Sequence, residues 1–159
     1  ETSMGCLVSE KAAKNIEAEI NKVVADGGKL LYGGSRHGAF IEPTVIEVSK
    51  DSEVAKDLEI FGPVFPIIGF DTFDEAVEIA NQTSFGLASG VITQDINLAM
   101  QFANKVQAGT CVINSSGNYR SVHQPFGGYK QTGIGREGTS HTLYEVTQEK
   151  SIVIKNCLK

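Results

Sequence analysis

The spacing of apolar positions changes several times along the chain, and each change marks an element. Ala12, Ala13, Ile16, Ile20, Val23 and Val24 recur at helical spacing, so one stripe of a helix faces a core. Ser9 is placed to cap that helix and Gly27-Gly28 to stop it near Asp26. Short apolar runs follow at Lys29–Tyr32 and Phe40–Val48, separated by the turn-forming stretch Gly33-Gly34-Ser35-Arg36-His37-Gly38. Phe65–Phe70 reads as a buried strand. Asp71 or Thr72 then opens a helix carrying Ala76, Val77, Ile79 and Ala80. Gly90–Thr93 predicts a short strand, and Asp95 caps a helix with Ile96, Leu98, Ala99, Phe102, Ala103 and Val106 facing inward. Thr110–Asn114 is again a strand, a helix is predicted around Ser140–Val146, and Ser151–Lys155 is a strand near the end. Strands alternating with helices define an α/β chain. Between Thr110–Asn114 and the last helix lies a polar, Gly-rich stretch from Ser115 to Gly138, too long for a plain connection and therefore a candidate functional segment.

Composition narrows the class. The 159 residues are 41% hydrophobic, with 17 Gly against 4 Pro, which suits one folded domain with many tight turns. A net charge of −5 argues against a nucleic-acid surface or an anionic-membrane anchor. No apolar run approaches the roughly 20 residues that span a bilayer. No secretory signal is expected in Glu1-Thr2-Ser3-Met4-Gly5-Cys6, and a start other than Met suggests a trimmed chain. Cys6, Cys111 and Cys157 are odd in number and far apart. They spell neither a disulfide framework nor a zinc cluster, and a reducing cytoplasm is the expected compartment.

One motif needs weighing. Gly133-Ile134-Gly135-Arg136-Glu137-Gly138 has the GxGxxG form of a dinucleotide turn. That turn works when a strand immediately precedes it and a helix N-terminus receives the phosphate. The residues before it, Pro125-Phe126-Gly127-Gly128-Tyr129-Lys130-Gln131-Thr132, are loop-forming. A glycine-rich turn entering a helix is the preferred reading, and Glu149 at the distance of a ribose acid adds little.

Three segments together resemble the aldehyde dehydrogenase superfamily. Leu58-Glu59-Ile60-Phe61-Gly62-Pro63-Val64 is similar to its E-[IV]-F-G-P-V signature, and Pro125 to Gly138 to its PFGG-x-K-x-[ST]-G-x-G-R-E-G segment. Ser84-Phe85-Gly86-Leu87-Ala88-Ser89-Gly90, followed by Ala108-Gly109-Thr110 and Asn114, supplies the third. The match runs in order from about Met4 to Lys155. It implies an open, mostly parallel sheet with flanking helices, forming part of the catalytic domain over residues 1–146. Residues 147–159 are then an oligomerisation strand, with a homo-oligomer the implied assembly.

In such enzymes a cysteine thiolate attacks the aldehyde, hydride passes to a nicotinamide ring, and a glutamate-activated water hydrolyses the thioester. The resemblance implies NAD or NADP as cofactor and a small aldehyde as substrate, while the charge and the lack of a long apolar run leave neither nucleic acid nor membrane as an expected partner. Glu59 matches the acid that holds the nicotinamide-side ribose; a carboxylate has two oxygens to accept from two hydroxyls. Without the family it reads as a solvated acid beside Lys56 and Asp57. Phe61 matches an aromatic packed near the nicotinamide, with a core role as its rival. Phe126 matches a residue lining the substrate tunnel, again with core packing as the rival. Asn114 is expected to give hydrogen-bonding support, and Gly62-Pro63 a fixed bend. Arg120 sits where the family adapts to the far end of its aldehyde. A guanidinium there suits an anionic tail, as in succinate semialdehyde or phosphorylated three-carbon aldehydes, against the plainer reading of a solvated loop arginine. His123 in the same loop is a weaker candidate.

No cysteine here matches the nucleophile. The family's catalytic cysteine, general-base glutamate, oxyanion asparagine and Rossmann cofactor domain would all lie upstream of this sequence. The expectation is therefore a fragment that is inactive alone and oxidises an aldehyde to an acid within its parent enzyme. Two alternatives stand beside it: a non-catalytic interaction or structural module on a dehydrogenase-derived fold, and a CoA-acylating aldehyde dehydrogenase.

Overall fold

The structure is a computed structural model that describes residues 4–156. It falls into two compact units, residues 1–84 and 85–159.

The first unit opens with helix α1, Glu10–Ala25. The Ser9 hydroxyl accepts the Ala12 N–H at 3.1 Å, so the expected cap forms. At the other end Gly27 takes φ 103°. Its N–H donates to the Val24 carbonyl and that of Gly28 to Val23, a Schellman closure. Strands β1 (Lys29–Tyr32), β4 (Thr44–Glu47) and β5 (Val64–Ile67) form one sheet in the order β1-β4-β5. β1 and β4 are antiparallel, and β4 and β5 parallel. The predicted run Phe40–Val48 is broken at Pro43, which has no N–H for a ladder. Its first part, β3 (Phe40–Ile41), pairs in a small hairpin with β2 (Arg36–His37), which forms inside the expected turn segment. Arg36 ties this hairpin to α1, its Nε donating to Glu17 Oε2 at 2.7 Å.

Ile16, Ile20 and Val23 of α1 pack with Ile41, Ile46 and Val48 into a buried cluster, and Leu58, Ile60 and Val64 lie half-buried against it. Thr44, fully buried, is satisfied in both senses: its Oγ1 accepts the Gly34 N–H at 2.9 Å and donates to the Glu42 carbonyl at 2.7 Å. Gly33 lies so close to the Pro43 carbonyl that a Cβ would sit 2.1 Å from its oxygen. Helix α2 (Phe73–Asn81) is capped by Thr72. One expectation is corrected here. β5 is an edge strand whose side chains are largely exposed, Phe65 by 58%, because α1 covers only one face of the sheet.

The second unit comprises β6 (Phe85–Gly86), β7 (Ala88–Val91), α3 (Ile96–Lys105), β8 (Thr110–Ile113), β9 (Tyr129–Lys130) and α4 (Thr139–Glu145). β7 and β8 pair in parallel through the α3 crossover, and β6 pairs with β9. β7 begins two residues before the predicted strand. Asp95 Oδ1 accepts the N–H groups of Asn97 and Leu98, capping α3. Ala99 and Val106 are buried as expected, whereas Ile96, in the first turn, is exposed. A Cβ on Gly109 would fall 1.6 Å from the Gly127 carbonyl oxygen, so these two backbone stretches touch directly. Ser151–Lys155 makes no ladder, and Ile152, Val153 and Ile154 are exposed. Among the described residues this segment pairs with no strand. Cys157 lies outside the described residues.

Candidate functional site

The connection from β4 to β5 carries Glu59 and Phe61. Burial alternates along it: Leu58 and Ile60 are half-buried against the core, while Glu59 and Phe61 are exposed. Anchoring the two aliphatic residues inward turns the acid and the ring outward, as in an extended chain. Phe61 is 80% exposed and takes no part in the core of this unit. Among the described residues Glu59 has no hydrogen-bond or ion-pair partner, so both carboxylate oxygens are open to hydroxyl donors. An acid with two free oxygens beside an uncovered aromatic face suits the ribose and ring of a nicotinamide nucleotide. Gly62 approaches α1 closely, since a Cβ there would lie 2.5 Å from Ile16 Cδ1.

In the second unit the structure brings Arg120 and Phe126 together. The Arg120 guanidinium carbon lies 3.9 Å from the centroid of the Phe126 ring, a cation–π stack. Its Nη2 donates to Glu137 Oε2 at 2.9 Å. Glu137 was missed in the sequence, where it read only as part of the glycine turn. The link is made by backbone: Phe126 and Glu137 exchange both N–H···O bonds, at 2.9 and 2.7 Å. Arg120 and Glu137 border an open cavity of 840 Å³ with an apolar floor from Val122, Leu143 and Val146. Phe126 lines a second, smaller cavity beside Gly128, Ile134 and Arg136. Gln124 joins this segment to β8, its Nε2 reaching Thr110 Oγ1 at 3.3 Å. His123 is exposed, and among the described residues it makes no hydrogen bond or ion pair.

Asn114 ends β8 with φ 58°. Its N–H donates to Val91 and its Oδ1 accepts the Thr93 N–H at 2.9 Å, the supporting role expected of it. The glycine motif behaves as a turn. Two-residue β9 precedes it, Gly133, Gly135 and Gly138 all have positive φ, and α4 starts only after Gly138. Cys6 is exposed and Cys111 half-buried in β8. Among the described residues no group of three or more His, Cys, Asp or Glu could hold a metal ion. No described helix is long and apolar enough to cross a membrane.

Parallel strands joined by a helix in the second unit and a mixed three-stranded sheet in the first define an α/β protein. The chain belongs to the aldehyde dehydrogenase family, whose model matches residues 1–152. It is 44% identical over 155 residues to lactaldehyde dehydrogenase of Methanococcus maripaludis, covering 98% of this chain and 33% of that protein. Aldehyde dehydrogenase 21 of Physcomitrella patens, solved with its reaction product succinate, superposes with a TM-score of 0.91 at 43% identity, over 98% of this chain and 32% of that one. Glyceraldehyde-3-phosphate dehydrogenase GapN of Methanocaldococcus jannaschii, solved with NADP, gives 0.91 at 41% identity, over 96% and 33%. The chain thus spans about a third of the length of the relatives it matches.

Proposed function

We propose that the complete polypeptide carrying these residues oxidises an aldehyde to its carboxylic acid with NAD+ or NADP+, taking up water and releasing the reduced cofactor and a proton. When bound, the nicotinamide nucleotide supplies the hydride acceptor. Glu59 accepts hydrogen bonds from the hydroxyls of its nicotinamide-side ribose, and Phe61 packs beside the ring. The observation that carries this reading is the alternation at 58–61, which leaves Glu59 unpartnered next to an uncovered ring. The nucleophile and the general base come from sequence outside this chain. The 159-residue chain alone is inactive.

Arg120 extends the reading to substrate choice. With Phe126 beneath it and a cavity beside it, its guanidinium suits the anionic tail of an aldehyde, such as succinate semialdehyde. One similar structure holds succinate as its reaction product and another is named for glyceraldehyde 3-phosphate, both anionic, whereas lactaldehyde carries no charge. The test is cofactor reduction by the complete polypeptide with succinate semialdehyde, glyceraldehyde 3-phosphate and a neutral aldehyde, using NAD+ and NADP+ in turn. Activity that Glu59→Gln weakens through cofactor KM supports the reading, and no aldehyde-dependent reduction refutes it. Activity from the 159-residue chain by itself would refute the assignment of the chemistry to residues outside it.

A further inference from the structure

We propose that Asp57 is a positioning residue for Glu59, tying the acid's loop to the end of helix α2. The inference rests on the reading of Glu59 as the ribose-holding acid. The β4–β5 connection has one turn of regular structure, the 3-10 segment Glu53–Ala55. Its own hydrogen bonds end at Leu58, whose N–H donates to the Glu53 carbonyl, and resume at Gly62. Glu59 itself makes none among the described residues. Its place is therefore set by what holds its neighbours.

Two of those holds are apolar: Leu58 and Ile60 against the core, and Gly62 against Ile16. The polar one is Asp57. Its Oδ1 accepts from Thr83 Oγ1 at 2.9 Å and from the Ser84 N–H at 2.7 Å, and its Oδ2 accepts from Ser84 Oγ at 2.5 Å. Gln82 reinforces the same junction, its Nε2 donating to the carbonyls of Lys50 at 3.0 Å and Ala55 at 2.7 Å. Three consecutive residues after α2 thus grip the loop at Lys50, Ala55 and Asp57. Short bonds to a charged acceptor are among the strongest and most directional available to side chains. Apolar packing resists lifting of the loop but tolerates sliding along it; the bonds from Thr83 and Ser84 to one carboxylate fix its position lengthwise. Asp57 lies two residues from Glu59, a span of about 7 Å in an extended chain. Releasing it lets the acid drift from the ribose without exposing the core.

The test uses the complete polypeptide in steady-state and cofactor-binding assays. Asp57→Ala is expected to raise cofactor KM and Kd about tenfold, with kcat at saturation and aldehyde KM within about twofold. Misplacement of a binding group by a fraction of an ångström has effects of this order. Asp57→Asn, whose Oδ1 still accepts from Thr83 and Ser84, recovers most of the affinity. The pair Thr83→Ala/Ser84→Ala, which removes two donors and leaves the carboxylate, reproduces the loss and serves where Asp57→Ala does not fold. In a Glu59→Gln background Asp57→Ala adds nothing further, because there is no acid left to position. A lowered active fraction with unchanged cofactor KM, or losses that multiply with Glu59→Gln, would make Asp57 a fold element only and overturn the proposal. If Glu59→Gln itself leaves cofactor KM unchanged, the ribose reading falls and this inference with it. If Glu59→Gln raises KM and Asp57→Ala does not, the positioning role alone is refuted.

Discussion

Arg120 carries two partners at once, the Phe126 ring and the Glu137 carboxylate. Both charged side chains are substantially exposed, so the ion pair contributes little to stability. If Arg120 holds an anionic tail as proposed, Glu137 competes with the substrate for one edge of its guanidinium. Glu137→Gln is expected to lower KM for an anionic aldehyde several-fold, and Arg120→Ala to raise it about tenfold, consistent with the strength of a charge-assisted bond. Neither change should move KM for a neutral aldehyde, and equal effects on both substrates would remove Arg120 from tail binding. Thr44 illustrates a different economy, a buried hydroxyl used as donor and acceptor together. Thr44→Val keeps the shape but strands the Gly34 N–H and the Glu42 carbonyl. It should cost about 1–3 kcal/mol in chemical denaturation.

Helix α2 shows how local chemistry fixes an element. Thr72 Oγ1 accepts the Glu75 N–H at 3.2 Å, and Glu75 Oε2 accepts the Asp71 N–H at 2.9 Å, a variant of the capping box. Glu75 also takes Lys50 Nζ at 3.0 Å. The Asp71 hydrogen bond first, and the Lys50 bond after it, hold the Glu75 carboxyl below the ordinary carboxylate range, while Glu75 raises Lys50. A lowered carboxylate stabilises the fold above its ordinary value and loses that contribution as pH falls through the lowered one; a raised lysine loses its contribution as pH rises through the raised value. The α2 start is thus tied at neutral pH and loosens towards either extreme. The Asp71 amide is expected to exchange faster with solvent below the carboxylate range, after correction for intrinsic rates. Constant protection there would contradict the assignment. Caps of this kind were legible in the sequence, because Ser9, Thr72 and Asp95 act on residues two or three positions away. The alternation that aims Glu59 and Phe61 outward was not read there. It depends on which side of the 58–61 stretch the core lies, and that is decided by α1. The exposure of Phe65 was missed for the same reason: an apolar run does not say how many faces of its sheet are covered. Glu137 escaped notice because its partner lies seventeen positions away across a turn.

At the scale of the molecule, much apolar surface stays uncovered in each unit described separately: Phe65 and Ile67 on β5 in one, Ile152 to Ile154 in the other. The terminal apolar triplet is exposed and, among the described residues, pairs with no strand, and such a segment can recruit a partner strand. The proposed homo-oligomer would use it, and Val153→Lys is expected to shift the protein towards monomer in sedimentation equilibrium; an unchanged distribution would place the contact elsewhere.

The grip of residues 82–84 on the 50–57 loop has a consequence for the order of assembly. Helix α1, the β2–β3 hairpin and the caps close over short stretches of chain and can form early. The β4–β5 pairing must wait for its long connection to close. The Asp57 bonds wait longer still, since their donors stand at the far end of α2. The stretch bearing Glu59 is therefore expected to become rigid late in the folding of its unit, with amide protection at 57–60 that develops after that of α1.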